Sequence, residues 1–159
     1  MRTILADWRE PGADTDRPAA IRSSYRSMAI ATGTAFVFSS LYYAMLASTW
    51  RAVDPASLAG TPASPLRIGA EIVRTFAIVC VLARLLRMLG SRGWVSVLSL
   101  ASLLWFGFSF VMWTGAIMWE GTPWAVAAIH SGDWLIKSLL ISSLLYVLRT
   151  RAPRAPKGP

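Results

Sequence analysis

The sequence is poor in the residues that carry most protein chemistry. Its 159 residues include one cysteine, Cys80, and one histidine, His130. A lone cysteine excludes an internal disulfide framework. A lone histidine excludes bis-histidine haem ligation within the chain, and the pair leaves no metal set of the usual three or four ligands. No G-x-S-x-G, Walker A or H-E-x-x-H pattern occurs, so the familiar nucleophile, phosphate and zinc sites are missing. Charge is scarce as well. Only 15% of residues are charged, where an average soluble domain has about 25%.

Apolar residues fill the gap, at 55% of the chain with a mean hydropathy of +0.49. One domain of this length cannot hide so much apolar surface inside itself, which excludes an ordinary soluble fold. It is far too hydrophobic for a disordered chain. The 16 basic residues outnumber the 8 acidic ones, giving a net charge of +8. A nucleic-acid domain would gather that charge on one face of a soluble fold. Here it falls in short blocks between long uncharged runs, so the expected partner is an anionic inner leaflet rather than nucleic acid.

Two runs are free of charge, Ser27 to Trp50 and Gly93 to Trp119. A bilayer core of about 30 Å needs roughly 20 helical residues, and both runs exceed that. Two further apolar segments carry charges: Leu66 to Leu89 with Arg67, Glu71, Arg74, Arg84 and Arg87, and Trp124 to Leu148 with His130, Asp133 and Lys137. Each is long enough to span, and a re-entrant or interfacial segment is the alternative for the first. Spans are expected at about 28–50, 66–89, 93–119 and 124–148. Prolines 55, 62 and 65 break the first connection, and the Leu89–Gly93 turn suits a glycine at a helix C-terminus. Thr122 and Pro123 suit an N-cap and first helical position. Short connections make sequential helices antiparallel neighbours, so the expected fold is all-α, an integral membrane four-helix up-down bundle.

Orientation follows from the basic residues. Arg2, Arg9, Arg17, Arg22 and Arg26 precede the first span, Arg84, Arg87 and Arg92 surround the second turn, and Arg149, Arg151, Arg154 and Lys157 follow the last. Only Arg51 and Arg67 fall on the other side, which places both termini in the cytoplasm. Residues 1–27 form a basic leader in which Ile4, Leu5 and Trp8 share a helical face, either a short interfacial helix or an unstructured segment. Residues 149–159 form a basic, proline-rich tail expected to be disordered.

The residues that stand out are ionisable groups inside the spans, since an intramembrane charge costs about 2.5 to 3.5 kcal/mol and by default marks function. Glu71 and Arg74 share a helical face with Arg67; His130, Asp133 and Lys137 share one on the last helix. Together Glu71, Arg74, His130, Asp133 and Lys137 form an expected buried polar cluster. Its residues either form a cluster open towards the periplasm in which His130 changes charge near neutral pH, or only fix helix register or line a shallow water-filled crevice. His130 also leaves room for one axial ligand to a haem or chlorin, with Trp105, Trp113 and Trp134 as its walls, although no cofactor is called for. Small-residue stripes (Ser40, Ala44, Ser48; Ser131, Ser138, Ser142) suit close helix packing. Trp50, Trp94, Trp119 and Trp124 sit at expected helix ends, where indoles anchor in the headgroups.

Three stretches carry a family resemblance. Ala35-Phe-Val-Phe-Ser-Ser-Leu-Tyr-Tyr43, closing on Trp50, looks like a first helix that usually reads towards a Trp-Tyr pair. Leu103-Leu-Trp-Phe-Gly-Phe108 resembles a Leu-Trp-Leu-Gly-Phe signature, and Ile129-His-Ser-Gly-Asp133 an Ile-Asn-Ala-Gly-Tyr segment. The family is the small bacterial membrane proteins grouped as domain of unknown function 1761, and the resemblance runs from about Ala29 to Leu148. It departs at Tyr42, where Trp is usual, at Ala44-Met45, where Ser-Pro often follows, and at His130 and Asp133, where Asn and Tyr are common. It implies a four-helix domain of the bacterial inner membrane with no established activity and no catalytic residues to carry over. The expected function is then a non-enzymatic accessory or assembly subunit, held by helix contacts in a larger membrane complex, an energy-transducing or photosynthetic one among the hosts. The alternative is a small homo-oligomeric transporter or proton-coupled carrier working through the polar cluster. A membrane enzyme lacks a nucleophile or metal set.

Overall fold

The computed structural model describes residues 17–55, 62–89 and 93–150, with side chains from Tyr25 onward. The leader's expected interfacial helix and the basic tail lie outside the described residues. Everything described is helical or a short connection. Helix α1 spans Arg17–Val53, α2 Pro65–Met88, α3 Trp94–Leu104, α4 Val111–Glu120 and α5 Trp124–Thr150. Between α3 and α4, Trp105–Phe110 forms a π-helical stretch, so these three pieces make one continuous rod.

The helices begin and end for local reasons. α1 starts eleven residues before its expected boundary, and its 37 residues extend about 55 Å, well beyond the roughly 30 Å of a bilayer core. Ser64 caps α2, accepting from the Arg67 N–H, with Pro65 at the first position. Gly121 closes α4 in the left-handed region at φ 68°, and the Thr122 N–H reaches back to the Ala116 carbonyl at 3.2 Å. That pairing satisfies carbonyls the helix end would otherwise orphan. α5 opens at Trp124, where the span was expected, but Val126 and Ala127 donate to the Pro123 carbonyl, so Pro123 rather than Thr122 stands at the cap position.

Tyr25–Val53, Trp94–Glu120 and Trp124–Thr150 are each long and apolar enough to cross a membrane. α2 matches them in length, at 24 residues, but carries five charges and does not meet that apolar criterion. The core occupies one end, where Met28, Ala31 and Ala35 of α1 meet Val79, Leu82, Ala83 and Leu86 of α2, Val97 of α3, and Ile141 and Leu145 of α5. Fully buried Ala31 and Ala35 let the backbones approach closely. Outside, large apolar side chains are exposed on every helix, Met45, Leu103, Phe108, Met118 and Trp124 among them. An exterior of that kind suits lipid rather than water.

Contacts along the helices keep a fixed register. Ser39 meets Asp133 and Tyr43 meets His130, so α5 falls in number as α1 rises. The third rod and α5 do the same through Trp94–Tyr146 and Trp105–Ser131.

Candidate functional site: a polar cluster between three helices

Helix α5 supplies His130, Asp133 and Lys137 at spacings of three and four, so all three face the same way. α1 and α2 press against that face. Asp133 is fully buried; its Oδ1 accepts from Ser39 Oγ of α1 at 2.6 Å, and its Oδ2 lies 3.0 Å from Lys137 Nζ. Lys137, only 1% exposed, also reaches Glu71 Oε1 on α2 at 3.2 Å. Thr75 donates to the same oxygen, and Glu71 Oε2 meets Arg74 Nη2 at 2.8 Å. Charge therefore alternates along a continuous string: Asp133, Lys137, Glu71, Arg74. The sum is zero. Arg74 ends the string with 53% of its side chain exposed and Glu71 with 30%.

The string lies far from the tryptophan end of the bundle. Asp133 and Lys137 are nine and thirteen residues past Trp124, and Ser39 is eleven before Trp50, which is about 14 to 20 Å along the helices.

His130 occupies an aromatic box one turn nearer that end. Its Nδ1 shares a 2.8 Å hydrogen bond with the Tyr43 hydroxyl. Trp113 stacks on the imidazole (centroids 4.9 Å apart, planes 5°), and Trp50 meets it edge-on at 4.7 Å. The Nε1 atoms of Trp50 and Trp113 are buried without a hydrogen-bond partner. Next to it, Tyr42 donates to the Ile129 carbonyl at 3.0 Å. Gly132 makes that possible, because a Cβ there would sit 2.7 Å from the Tyr42 oxygen.

All five expected cluster residues thus come together around α5, but in two groups. The charges form the string, and His130 joins the aromatics. Of the tryptophans expected around His130, Trp113 packs on it, Trp105 is committed to Ser131 through its carbonyl and Oγ (2.8 and 3.1 Å), and Trp134 is half-buried. Nδ1 is held by Tyr43, and Trp50 and Trp113 pack against the ring, so aromatic side chains take up much of the imidazole's surroundings. Among the described residues no three His, Cys, Asp or Glu side chains group to hold a metal ion.

Two expectations from helix position are corrected. Ser40, Ala44 and Ser48 lie exposed, whereas Ala31, Ala35, Ser39 and Ala47 are the buried small residues of α1. A shift of one residue turns the stripe by about 100° to the outside. On α5, Ser131, Ser138 and Ser142 are buried as expected. Trp119 and Trp124 are exposed, and Trp94 is half-exposed against Tyr146. Trp50 instead packs against His130 and Tyr43, its ring lying back along the helix towards the residue seven positions before it. The sequence reading missed Ser39, Tyr42, Tyr43, Thr75 and Gly132. Ser39 and Tyr43 carried one signal, polar groups four apart in an otherwise apolar run.

No curated protein and no solved structure matches the chain. The model of a family described as a protein of unknown function, DUF1761, matches residues 27–146, well over half of the sequence, and the chain belongs to that family.

Proposed function

We propose that this chain is a multi-pass protein of the bacterial inner membrane, without enzymatic activity, that serves as an accessory or assembly subunit of a larger membrane complex. Its four helices cross the bilayer as an up-down bundle with both termini cytoplasmic. The opposed registers of α1 and the third rod against α5 support that topology, as does the gathering of twelve basic residues on one side. The observation that carries the assembly reading is the outer face of α2. Arg74 is half-exposed and Glu71 partly so, and they lie nine and six residues past Pro65, about 14 and 9 Å along α2 from its start. With α2 in the bilayer, a guanidinium on the lipid-facing side is costly even when paired with Glu71, which favours a protein neighbour over it. Mild solubilisation at native expression followed by native mass spectrometry tests this. The expected result is a complex that contains other membrane proteins; a monomer, or a homo-oligomer without them, overturns the reading.

A carrier is the second reading, favoured by the alternation of charge from buried Asp133 to half-exposed Arg74. It predicts that Asp133→Asn and Glu71→Gln abolish a proton or solute flux in proteoliposomes. A flux unchanged by both substitutions removes it.

A further inference from the structure

We infer that His130 is a proton-binding site: its aromatic box holds the imidazolium as well as the neutral ring, and the proton reverses the hydrogen bond that ties it to α1. His130 belongs neither to the charge string nor to the outer face of α2, so the inference is independent of both readings above.

The box has what a cation needs. Trp113 lays its face parallel to the imidazole, with 4.9 Å between centroids and 5° between planes. A cation within about 6 Å over an indole face is attracted by the ring's quadrupole, more strongly where water is excluded. Tyr43 supplies the second element, its hydroxyl 2.8 Å from Nδ1. A hydroxyl both donates and accepts, so it serves either state of the ring. In the neutral state Tyr43 donates to Nδ1. A proton bound at Nδ1 makes that nitrogen the donor, and the Tyr43 oxygen accepts while its own O–H turns elsewhere. The second bond is the stronger, because charge-assisted hydrogen bonds are roughly twice as strong as neutral ones.

The surrounding ionisable groups leave the task to the box. On α1, Tyr42 donates to the Ile129 carbonyl, and Arg51 is exposed and bonded to the Ala47 carbonyl. α4 has no ionisable side chain before Glu120, its last residue. Asp133 on α5 attracts a charge at His130, and Arg74 on α2 repels it. Both belong with Lys137 and Glu71 to the string that sums to zero. No salt bridge therefore holds the proton. His130 is half-buried, six residues past Trp124 and twenty before Thr150, about 9 against 30 Å along α5, so the nearer water lies beyond the tryptophan end.

His130 is the chain's single histidine, so ¹⁵N-histidine labelling of the full chain in lipid nanodiscs reports on this imidazole alone. NMR from pH 4 to 8 is expected to show both ring nitrogens moving to imidazolium shifts with one midpoint. The ¹³Cζ signal of Tyr43, identified by its loss in Tyr43→Phe, is expected to move with the same midpoint. Tyr43→Phe and Trp113→Leu each remove a stabiliser of the charged form. Each should lower the midpoint by about half a pH unit or more, at least about threefold in proton affinity. Trp113→Phe, which keeps an aromatic face, should restore part of that loss. An imidazole that stays neutral throughout the range overturns the proton site. A midpoint moved by neither Tyr43→Phe nor Trp113→Leu overturns the box as its holder, and a Tyr43 signal that does not follow the midpoint overturns the reversal.

Discussion

Lys137 holds its ammonium between two carboxylates with almost none of its side chain exposed, so its charge has no recourse to water. Removing one member of such a set leaves an unpaired buried charge, which costs about 3 to 5 kcal/mol, whereas replacing the set can be neutral. Lys137→Met is therefore expected to destabilise the protein by about that amount, because Asp133 keeps only Ser39 as a partner. Lys137→Met with Asp133→Asn should recover most of the loss, and denaturant unfolding in micelles measures both. A single variant within about 0.5 kcal/mol of wild type contradicts the ionic account. Gly132 makes a separate point about space. Gly132→Ala drives a methyl to 2.7 Å from the Tyr42 oxygen, while the ring carbon behind it stays at 3.7 Å. The clash is thus with the hydroxyl alone. Overpacking of this kind costs about 1 to 3 kcal/mol, and in a Tyr42→Phe background the same substitution should be close to neutral. A cost that persists without the hydroxyl would place the strain elsewhere on α5.

At the scale of elements, what the sequence made legible was what breaks a pattern. Charges in apolar runs stand out, so Glu71, Arg74, Asp133 and Lys137 were visible along with the helix faces they share. Ser39 was not, since a serine costs little in a helix and its partner lies 94 residues away. The π-helical stretch was also hidden. Buried Val97, Ala101 and Ser109 recur at multiples of four residues, longer than the 3.6-residue α period, and the wider turn at Trp105–Phe110 takes up part of the difference. That rephasing keeps Trp105 aimed at Ser131 and Trp113 at His130 on the same side. α2 is the element whose reading depends most on its surroundings, because its composition alone does not mark it as a span. If it crosses, its ends lie on opposite sides. A membrane-impermeant maleimide applied to intact spheroplasts should label Ala63→Cys and spare Leu89→Cys, with Cys80 replaced by alanine. Labelling of both, or of neither, would mean that α2 returns to the side it entered from.

For the whole molecule, surplus basic charge and an apolar exterior answer the same requirement. Lipid covers the outward Met, Phe, Leu and Trp side chains, and the bundle holds its necessary polarity in a string that sums to zero. The net +8 then resides in the flanks: the leader, the C-terminal end of α2 with the turn after it, and the tail. Each such residue near an anionic surface contributes about 1 kcal/mol of attraction, so a bundle inserted with those flanks outside would forgo several of these contributions. The tail gives the direct test, since Arg151, Arg154 and Lys157 are tryptic sites beyond the last described helix, although prolines after Ala152 and Ala155 leave the peptide bonds following Arg151 and Arg154 open to cleavage. With an epitope at the C-terminus, trypsin should remove the tag from inverted membrane vesicles and leave it intact on spheroplasts. An N-terminal tag, preceding Arg2 and Arg9, should behave in the same way, because an even number of crossings puts both ends on one side. Loss of one tag from spheroplasts with retention of the other would mean three crossings, and α2 would be the helix that fails to span.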